Sequence, residues 1–389
     1  MSVTTKKLIY ILNHYSPDST QHFYHVINLL EEISLQGVEV NLIIEKAEVA
    51  PIIANSNIKI FLLHNKGLKR LPELYRLISK FQRQGFKKVF VRISNFGACV
   101  AIVNSFFKKL DVYYWHSGTI FGFDNGQRLS ITKLKWYLKT RLPFNFIKAF
   151  VTYFVTGPES MRDYYVKVVG VADNKIRILY NDINTSRFKL LPLEEKQKLK
   201  SELGLMKHDK IVLFVHKFSP VRKSGFYIKT FIEMFFANQA LHEFKFCFIG
   251  DGKDLPHIQA QIAELDLTKR IKFLGALPNS VVHKYYQIAD IFINPTHAEG
   301  FPRVLIEAMA CGLPIVTTNA GGIADILGES QKPFMSDIND ANGFARNLVS
   351  MALISPDTKE IIISENLDRI KKYRTENVAA MYISTLFNE

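Results

Sequence analysis

Residues 296–322, THAEGFPRVLIEAMACGLPIVTTNAGG, decide how the rest of the chain is read. A polar turn around His297 and Glu299 passes through Gly300, Phe301 and Pro302 into residues 303–311, patterned as a short helix that Gly312 ends. Residues 314–318 read as a buried strand, and Gly321-Gly322 opens another turn. Proline near the first helical position and glycine just past the last are the usual punctuation of a helix. The helix therefore starts directly after Glu299. Its unbonded N–H groups and positive dipole end face that turn, which favours an anionic ligand such as a diphosphate. Glu307 lies eight positions after Glu299, so one carboxylate is in the loop and the other about one turn into the helix. Two acceptors along one crevice suit two hydroxyl-bearing parts of one ligand. A purely structural reading of the same residues has Glu307 paired with Arg303 at i,i+4 and Glu299 capping the helix.

At 389 residues the chain is long enough for two domains. With 48% hydrophobic and 22% charged residues it reads as a soluble globular protein with real cores. Cys99, Cys247 and Cys311 sit in apolar segments without CxxC spacing, as buried thiols of a reducing compartment do. The apolar run before Asn13 and His14 is too short for a signal peptide, and no segment reaches about 18 uninterrupted apolar residues. These features would suit a cytoplasmic protein. The charge is uneven: residues 51–150 hold 18 Lys and Arg against 3 Asp and Glu, whereas residues 201–389 hold 20 against 21. The basic half points to an anionic partner, and nucleic acid, an anionic membrane and a phosphate-bearing acceptor all fit charge alone.

Strand-like runs alternate with amphipathic helical ones, the pattern of parallel sheets built from βαβ units. The first half has strands at 7–13, 38–44, 58–62, 88–93, 111–115 and 150–156 and a helix at 21–36. His116 and Arg92 end two of these strands, where ligands of open α/β sheets bind. A near-neutral imidazole there can hydrogen-bond a sugar hydroxyl or shuttle a proton, although a lone His at a strand end is also a common packing residue. Residues 133–148, KLKWYLKTRLPFNFIK, interleave basic and aromatic side chains as a helix lying on an anionic membrane does, with Pro143 limiting it to two short pieces. A core-packed helix with a basic outer face is the other reading. Residues 180–192 have the turn composition of a linker. The second half has strands at 211–215, 244–249, 271–274 and 290–294, helices at 254–265 and 303–311, and helical periodicity over 357–387. No Asp-x-Asp pair or His/Cys cluster has ligand spacing, so the reading needs no metal and no cofactor.

Taken whole, EGFPRVLIEAMACGLPIVTTNAGG resembles the E-x7-E signature of retaining glycosyltransferase family 4, the group 1 glycosyltransferases. The resemblance is strong over residues 210–322, moderate around 180–192 and His116, and weak elsewhere in residues 1–170. It implies an α/β architecture of the GT-B type, two Rossmann-like domains whose parallel sheets face each other across a cleft. The domains would be an acceptor-side one at 1–180, a linker at 181–195 and a nucleotide-sugar-binding one at 196–356, with a C-terminal helix, 357–389, packing back on the first. By the same resemblance Glu299 contacts the donor sugar and Glu307 the nucleotide ribose, while Gly300, Phe301, Pro302 and Arg303 line the turn and helix start. His116 matches a donor-sugar contact. Lys217 and Lys223 match the Arg and Lys that hold the donor diphosphate. Gly250 and Gly275, in FIGDGKD and IKFLGAL, match loops that line the base, and Arg92 is a further substrate-binding candidate. Thr20 and Gln21 stand where the family commonly carries a Gly-Gly pair.

The implied function is metal-independent, retaining transfer of a sugar from a UDP- or GDP-sugar to a saccharide acceptor, lipid-linked or membrane-proximal, in polysaccharide or glycoconjugate biosynthesis. The enzyme would be cytoplasmic and peripheral on the inner face of the membrane through its basic half. No nucleic acid partner is expected, since no recognisable nucleic-acid motif accompanies the charge. The alternatives are a nucleotide-sugar epimerase of the same fold, which needs acid and base groups not identifiable here, and a non-catalytic binding protein.

Overall fold

In this computed structural model the described residues are 5–16, 24–53, 55, 57–64, 67–118, 136–219 and 227–388. They divide into two compact units, Met1–Tyr180 with Thr375–Glu389, and Asn181–Arg374. The expected strands 38–44, 58–62, 111–115 and 244–249 appear with those bounds, and the others shift by one to three residues at their ends. The cause is plain: near-continuous Val, Ile, Phe and Tyr runs are what strands buried on both faces require.

In the first unit the strands are β1 (Lys6–Leu12), β2 (Val38–Ile44), β3 (Ile58–Leu62), β4 (Lys88–Arg92), β5 (Asp111–Trp115), β6 (Tyr153–Thr156) and β7 (Ile176–Ile178). They form a parallel sheet in the order β3-β2-β1-β4-β5-β6-β7. The order reverses between β1 and β4, because the chain returns past its first strand after β3. One face carries α2 (Arg70–Arg83), α3 (Asn95–Phe107) and α4 (Leu142–Phe150), whose Ile78, Phe81, Ala101, Ile102 and Ile147 are buried in one core with the strands. On the sheet's Tyr10 and Phe90, stacked at 5.1 Å, the C-terminal helix Thr375–Phe387 lays Tyr382, 5.3 Å from Phe90 and 6.3 Å from Trp115. Helix α1 (Tyr24–Leu35) packs beside that helix. Pro143 does not separate two pieces. A π-helical turn, Tyr137–Arg141, runs directly into α4, with Pro143 at one of its first two positions.

The second unit has β8 (Lys210–Val215), β9 (Phe244–Ile249), β10 (Ile271–Phe273), β11 (Ile291–Asn294), β12 (Ile315–Thr318) and β13 (Met335–Ser336). They run parallel in the order β10-β9-β8-β11-β12-β13, with the reversal between β8 and β11. Phe214, Phe231, Phe235, Phe246, Phe248 and Phe344 dominate its core. Helix α5 (Arg303–Ala310) follows β11, and Gly312, at φ +69, ends it in a left-handed turn.

The terminal 357–389 segment departs from the single helix expected to join the first domain. It forms Pro356–Arg369, a 3-10 turn Ile370–Tyr373 and then Thr375–Phe387. Only the last belongs to the first unit. The break arises because Arg374 is extended and bridges Ile183, whose N–H donates to Tyr373 O at 2.8 Å. Buried Asn366, donating to Leu313 O at 2.9 Å, keeps the preceding helix on the second unit. The stretch expected as a linker likewise starts inside that unit, at Asn181. Cys247 and Cys311 are buried free thiols, and Cys99 is half-buried.

Loops at the carboxyl edge of the second sheet demand glycine. Gly252, at φ +146, would set a Cβ 1.8 Å from Phe218 O. Replacing Gly252 with Ala is expected to cost about 3 kcal/mol of stability, measured by urea unfolding. A loss below about 0.5 kcal/mol would show that the loops do not approach this closely.

Candidate functional site

The second sheet reverses between β8 and β11, and in open α/β sheets the crevice outside the strand carboxyl ends at such a point is where ligands bind. His216 and Lys217 follow β8, and the 295–302 turn follows β11. Main-chain bonds lace these loops together: His216 N donates to Ile249 O at 3.0 Å, Phe218 N to Asp251 O at 2.8 Å and Gly250 N to Gly275 O at 2.8 Å. Gly250 lets His216 O approach to a point only 1.9 Å from where a Cβ would stand. Gly321, at φ +58, does the same for Glu299 O at 1.8 Å, while Gly322 N donates to Gly300 O at 3.2 Å. Asn181 Nδ2 donates to Phe301 O at 3.1 Å. The turn Glu299-Gly300-Phe301 is thus held by backbone and by an amide, ahead of a helix whose N-terminus carries no side-chain cap.

Glu299 is buried, and its Oε1 meets His216 Nε2 at 2.8 Å. Glu307 pairs with Arg303, Nη2 to Oε1 at 3.4 Å, as the structural reading of that spacing has it. Arg303 Nη1 also donates to Asp182 O at 2.9 Å and lies 3.7 Å from Asp182 Oδ1. So Arg303 bridges the start of the unit to Glu307, and Phe301, Pro302 and Gly300 are buried beside it. Lys217 is exposed at the strand end. Lys223, together with Thr20, Gln21 and residues 133–135, lies outside the described residues. Beside the turn, Tyr227 hydroxyl donates to Ile338 O at 2.9 Å and meets His297 Nε2 at 2.8 Å.

In the first unit His116 follows β5, fixed by its N–H donating to Val155 O at 2.9 Å. Tyr165 hydroxyl donates to Gly118 O at 2.6 Å and therefore accepts from His116 Nδ1, also at 2.6 Å. The ring hydrogen sits on Nδ1, which leaves Nε2 a lone pair. Burial pushes the His116 pKa down to about 4, so the ring is neutral at pH 7 and acts as an acceptor or base. Arg92 is a correction to the strand-end expectation: it is 3% exposed, lies over the Trp115 ring at 4.5 Å and donates to Tyr382 hydroxyl at 3.4 Å. Side chains alternate across a sheet, and residue 92 falls on the face that the C-terminal helix covers. Ile93 occupies the strand end instead, at φ +52 and 43% exposed.

Sequence reasoning missed His216, Asn181, Asp182 and Tyr165. A histidine directly after a predicted strand was the one visible signal, for His216, and it carried no hint of a partner 83 positions away. Among the described residues no group of three or more His, Cys, Asp or Glu could hold a metal ion.

Comparison with known proteins gives three concordant results. Residues 195–366 match the model of the glycosyl transferases group 1. Among curated relatives, an N-acetyl-alpha-D-glucosaminyl L-malate synthase of Bacillus anthracis is 24% identical over 54% of each chain. The alpha-monoglucosyldiacylglycerol synthase of Acholeplasma laidlawii is 30% identical over 37% of this chain and 36% of its own. The match thus spans about half the length, or less, of these curated relatives. The UDP-Gal:alpha-D-GlcNAc-diphosphoundecaprenol alpha-1,3-galactosyltransferase of Escherichia coli is 22% identical over 83% of this chain and 81% of its own. Among solved structures the sucrose-phosphate synthase of Thermosynechococcus elongatus superposes with a TM-score of 0.76 at 16% identity, covering 98% of both chains. Anabaena HepE in complex with UDP-glucose gives 0.72, covering 98% of this chain and 100% of that one. The fold is GT-B.

The neutral His116 makes a stability prediction. Its pKa falls from 6.5 to about 4 on folding, so as pH drops the unfolded chain takes the proton first. Stability from this group is full above about pH 6.5 and is lost towards pH 4, by roughly 3 kcal/mol. Half-buried His283, pushed down to about 4 by burial and Arg187, adds a smaller loss of the same sign. Urea unfolding across pH 7 to 4.5 should show a shallower decline for His116→Gln than for the wild type. Parallel declines would rule out a buried neutral His116.

Proposed function

From the match of residues 195–366 to the glycosyl transferases group 1 model, we propose that the chain is a glycosyltransferase that moves a sugar from a UDP- or GDP-sugar to a saccharide acceptor with retention of anomeric configuration. The observation that carries this is the turn at the reversal of the second sheet, with Glu299 in the loop, an uncapped helix start and Glu307 one turn on. Glu307 takes the nucleotide ribose and Glu299 a hydroxyl of the donor sugar. Lys217, Lys223 and the N-terminus of α5 stabilise charge on the departing diphosphate, the electrostatic contribution that dominates where no covalent step is needed. A phosphate oxygen takes the acceptor proton on the face the diphosphate leaves. His116, with its Nε2 lone pair, accepts a hydrogen bond from a sugar hydroxyl. Anabaena HepE, solved with UDP-glucose, supports the donor class.

The acceptor in this reading is lipid-linked or membrane-proximal. The Escherichia coli relative, whose name specifies a diphosphoundecaprenol acceptor, supports it, and so does one face of the first unit. Phe106 and Phe107, at the end of α3, are 55% and 74% exposed, and Phe150 of α4 is 53% exposed. Phe106 meets Phe150 edge-on at 5.5 Å, so the two helix ends make one continuous apolar patch. Tyr137, Leu138 and Leu142, on the helical turn and helix start that lead to Phe150, are exposed as well, and Lys109, Lys139 and Arg141 are exposed cations close by in sequence. Exposed apolar side chains alternating with cations suit an anionic lipid surface. Among the described residues no helix is long and apolar enough to cross a membrane.

Two measurements test the proposal. Glu307→Ala should weaken nucleotide binding about tenfold or more, and Lys223→Ala should lower kcat on the order of a hundredfold. Unchanged turnover and affinity in both folded variants would refute the donor assignment. Incubation with a nucleotide sugar and no acceptor separates an epimerase, which alone would isomerise the donor. For the membrane face, flotation should carry the wild type with phosphatidylglycerol vesicles and leave Phe107→Asp/Leu138→Asp behind. Equal flotation of both proteins, or none of the wild type, would remove the lipid surface from the proposal.

A further inference from the structure

We infer that His216 is a positioning residue for the donor sugar, acting through Glu299, with the two side chains forming one hydrogen-bonded pair across the reversal of the second sheet. The inference rests on the proposed glycosyl transfer. His216 follows β8 and Glu299 lies in the turn after β11, the two strands that flank the reversal. Its imidazole is almost wholly enclosed, with a side-chain exposure of 4% against 6% for Glu299. One ring nitrogen, Nδ1, stands 3.0 Å from Lys217 O, which can only accept. The other, Nε2, stands 2.8 Å from Glu299 Oε1. Both nitrogens therefore face oxygens. Either ring nitrogen can donate to the oxygen it faces, and the Nε2–Oε1 contact ties the ring to the carboxyl.

The main chain fixes both ends of this pair. His216 N donates to Ile249 O, and His216 O packs against Gly250 where a Cβ would stand 1.9 Å away. Glu299 O packs likewise against Gly321. His216 Nε2, 2.8 Å from Oε1, holds the carboxyl in one orientation for a sugar hydroxyl. Preorganisation of this kind changes recognition of the sugar and leaves recognition of the nucleotide to Glu307 and the diphosphate contacts.

The test reads the sugar's contribution to binding. Titration calorimetry with UDP, UDP-glucose, GDP and GDP-mannose gives, for each base, the ratio of sugar-nucleotide to nucleotide affinity. His216→Ala is expected to reduce that ratio about tenfold with nucleotide affinity held within about twofold. His216→Gln, whose amide nitrogen reaches the same oxygen, should restore most of it. A purely structural role would lower both affinities together and show no rescue by glutamine. Glu299→Gln, which conserves shape, supplies a second route if His216→Ala does not fold. The loss in His216→Leu/Glu299→Gln, where leucine fills the space without a donor, should then match that of Glu299→Gln alone although His216→Leu by itself lowers the ratio, since residues acting as one unit are not additive. A wild-type ratio in His216→Ala, additive losses in the double variant, or no sugar contribution in the wild type would each overturn the inference. Wild-type protein that binds none of the four probes would instead overturn the donor reading on which it stands.

Discussion

Removing the Glu299 carboxylate from water is the constraint around which the second unit is arranged. A buried acid is costly unless a hydrogen-bonding group meets it, and His216, directly after the neighbouring strand, is one such partner. That contact requires β8 and β11 to be adjacent, hence the reversal of strand order. It also requires the loops after them to lie close, hence Gly250 and Gly321 at positions where any side chain would collide with a carbonyl. Asn181 and Asp182 then clamp the far side of the same turn, one on Phe301 O and the other on Arg303. The start of the unit thereby supports the turn.

The first unit solves a different problem with similar means. Its His116 is kept neutral by burial and is oriented by a tyrosine whose hydroxyl is committed to Gly118 O. The two histidines that follow strands, His116 and His216, thus have different partners: one bonds a tyrosine hydroxyl, the other a carboxyl.

Much of this was legible in the amino-acid order. The βαβ alternation, the helix between Pro302 and Gly312 and the strands on either side follow from local pattern and turn chemistry, which act over a few residues. Glu299 and Glu307 stood out by their eight-position spacing, and in the structure each has its own partner, His216 and Arg303. The His216–Glu299 contact was not, because strand adjacency is a property of the sheet and no periodicity within either segment reports it. Arg92 was misplaced for a related reason: the face to which it points is decided by the register of β4 and by a helix from the far end of the chain. The break at Arg374 escaped notice since the helical periodicity continues through it, and the bridge to Ile183 outweighs local propensity. The aromatic and basic stretch before Phe150 left a membrane helix and a core-packed helix both open, and Phe144 and Ile147 do enter the core, while Phe106, which meets Phe150, lies on α3 and joins it only in three dimensions.

The loop glycines of the second unit also shape how such a protein can change over generations. At Gly250, Gly252 and Gly321 a methyl group would overlap a carbonyl oxygen of His216, Phe218 or Glu299, so these positions are closed to drift and the loops cannot be rebuilt one substitution at a time. Lys217, exposed beside them, carries no such restriction. New ligand preferences are therefore more accessible by exchanging side chains on an unchanged loop framework than by remodelling the framework itself.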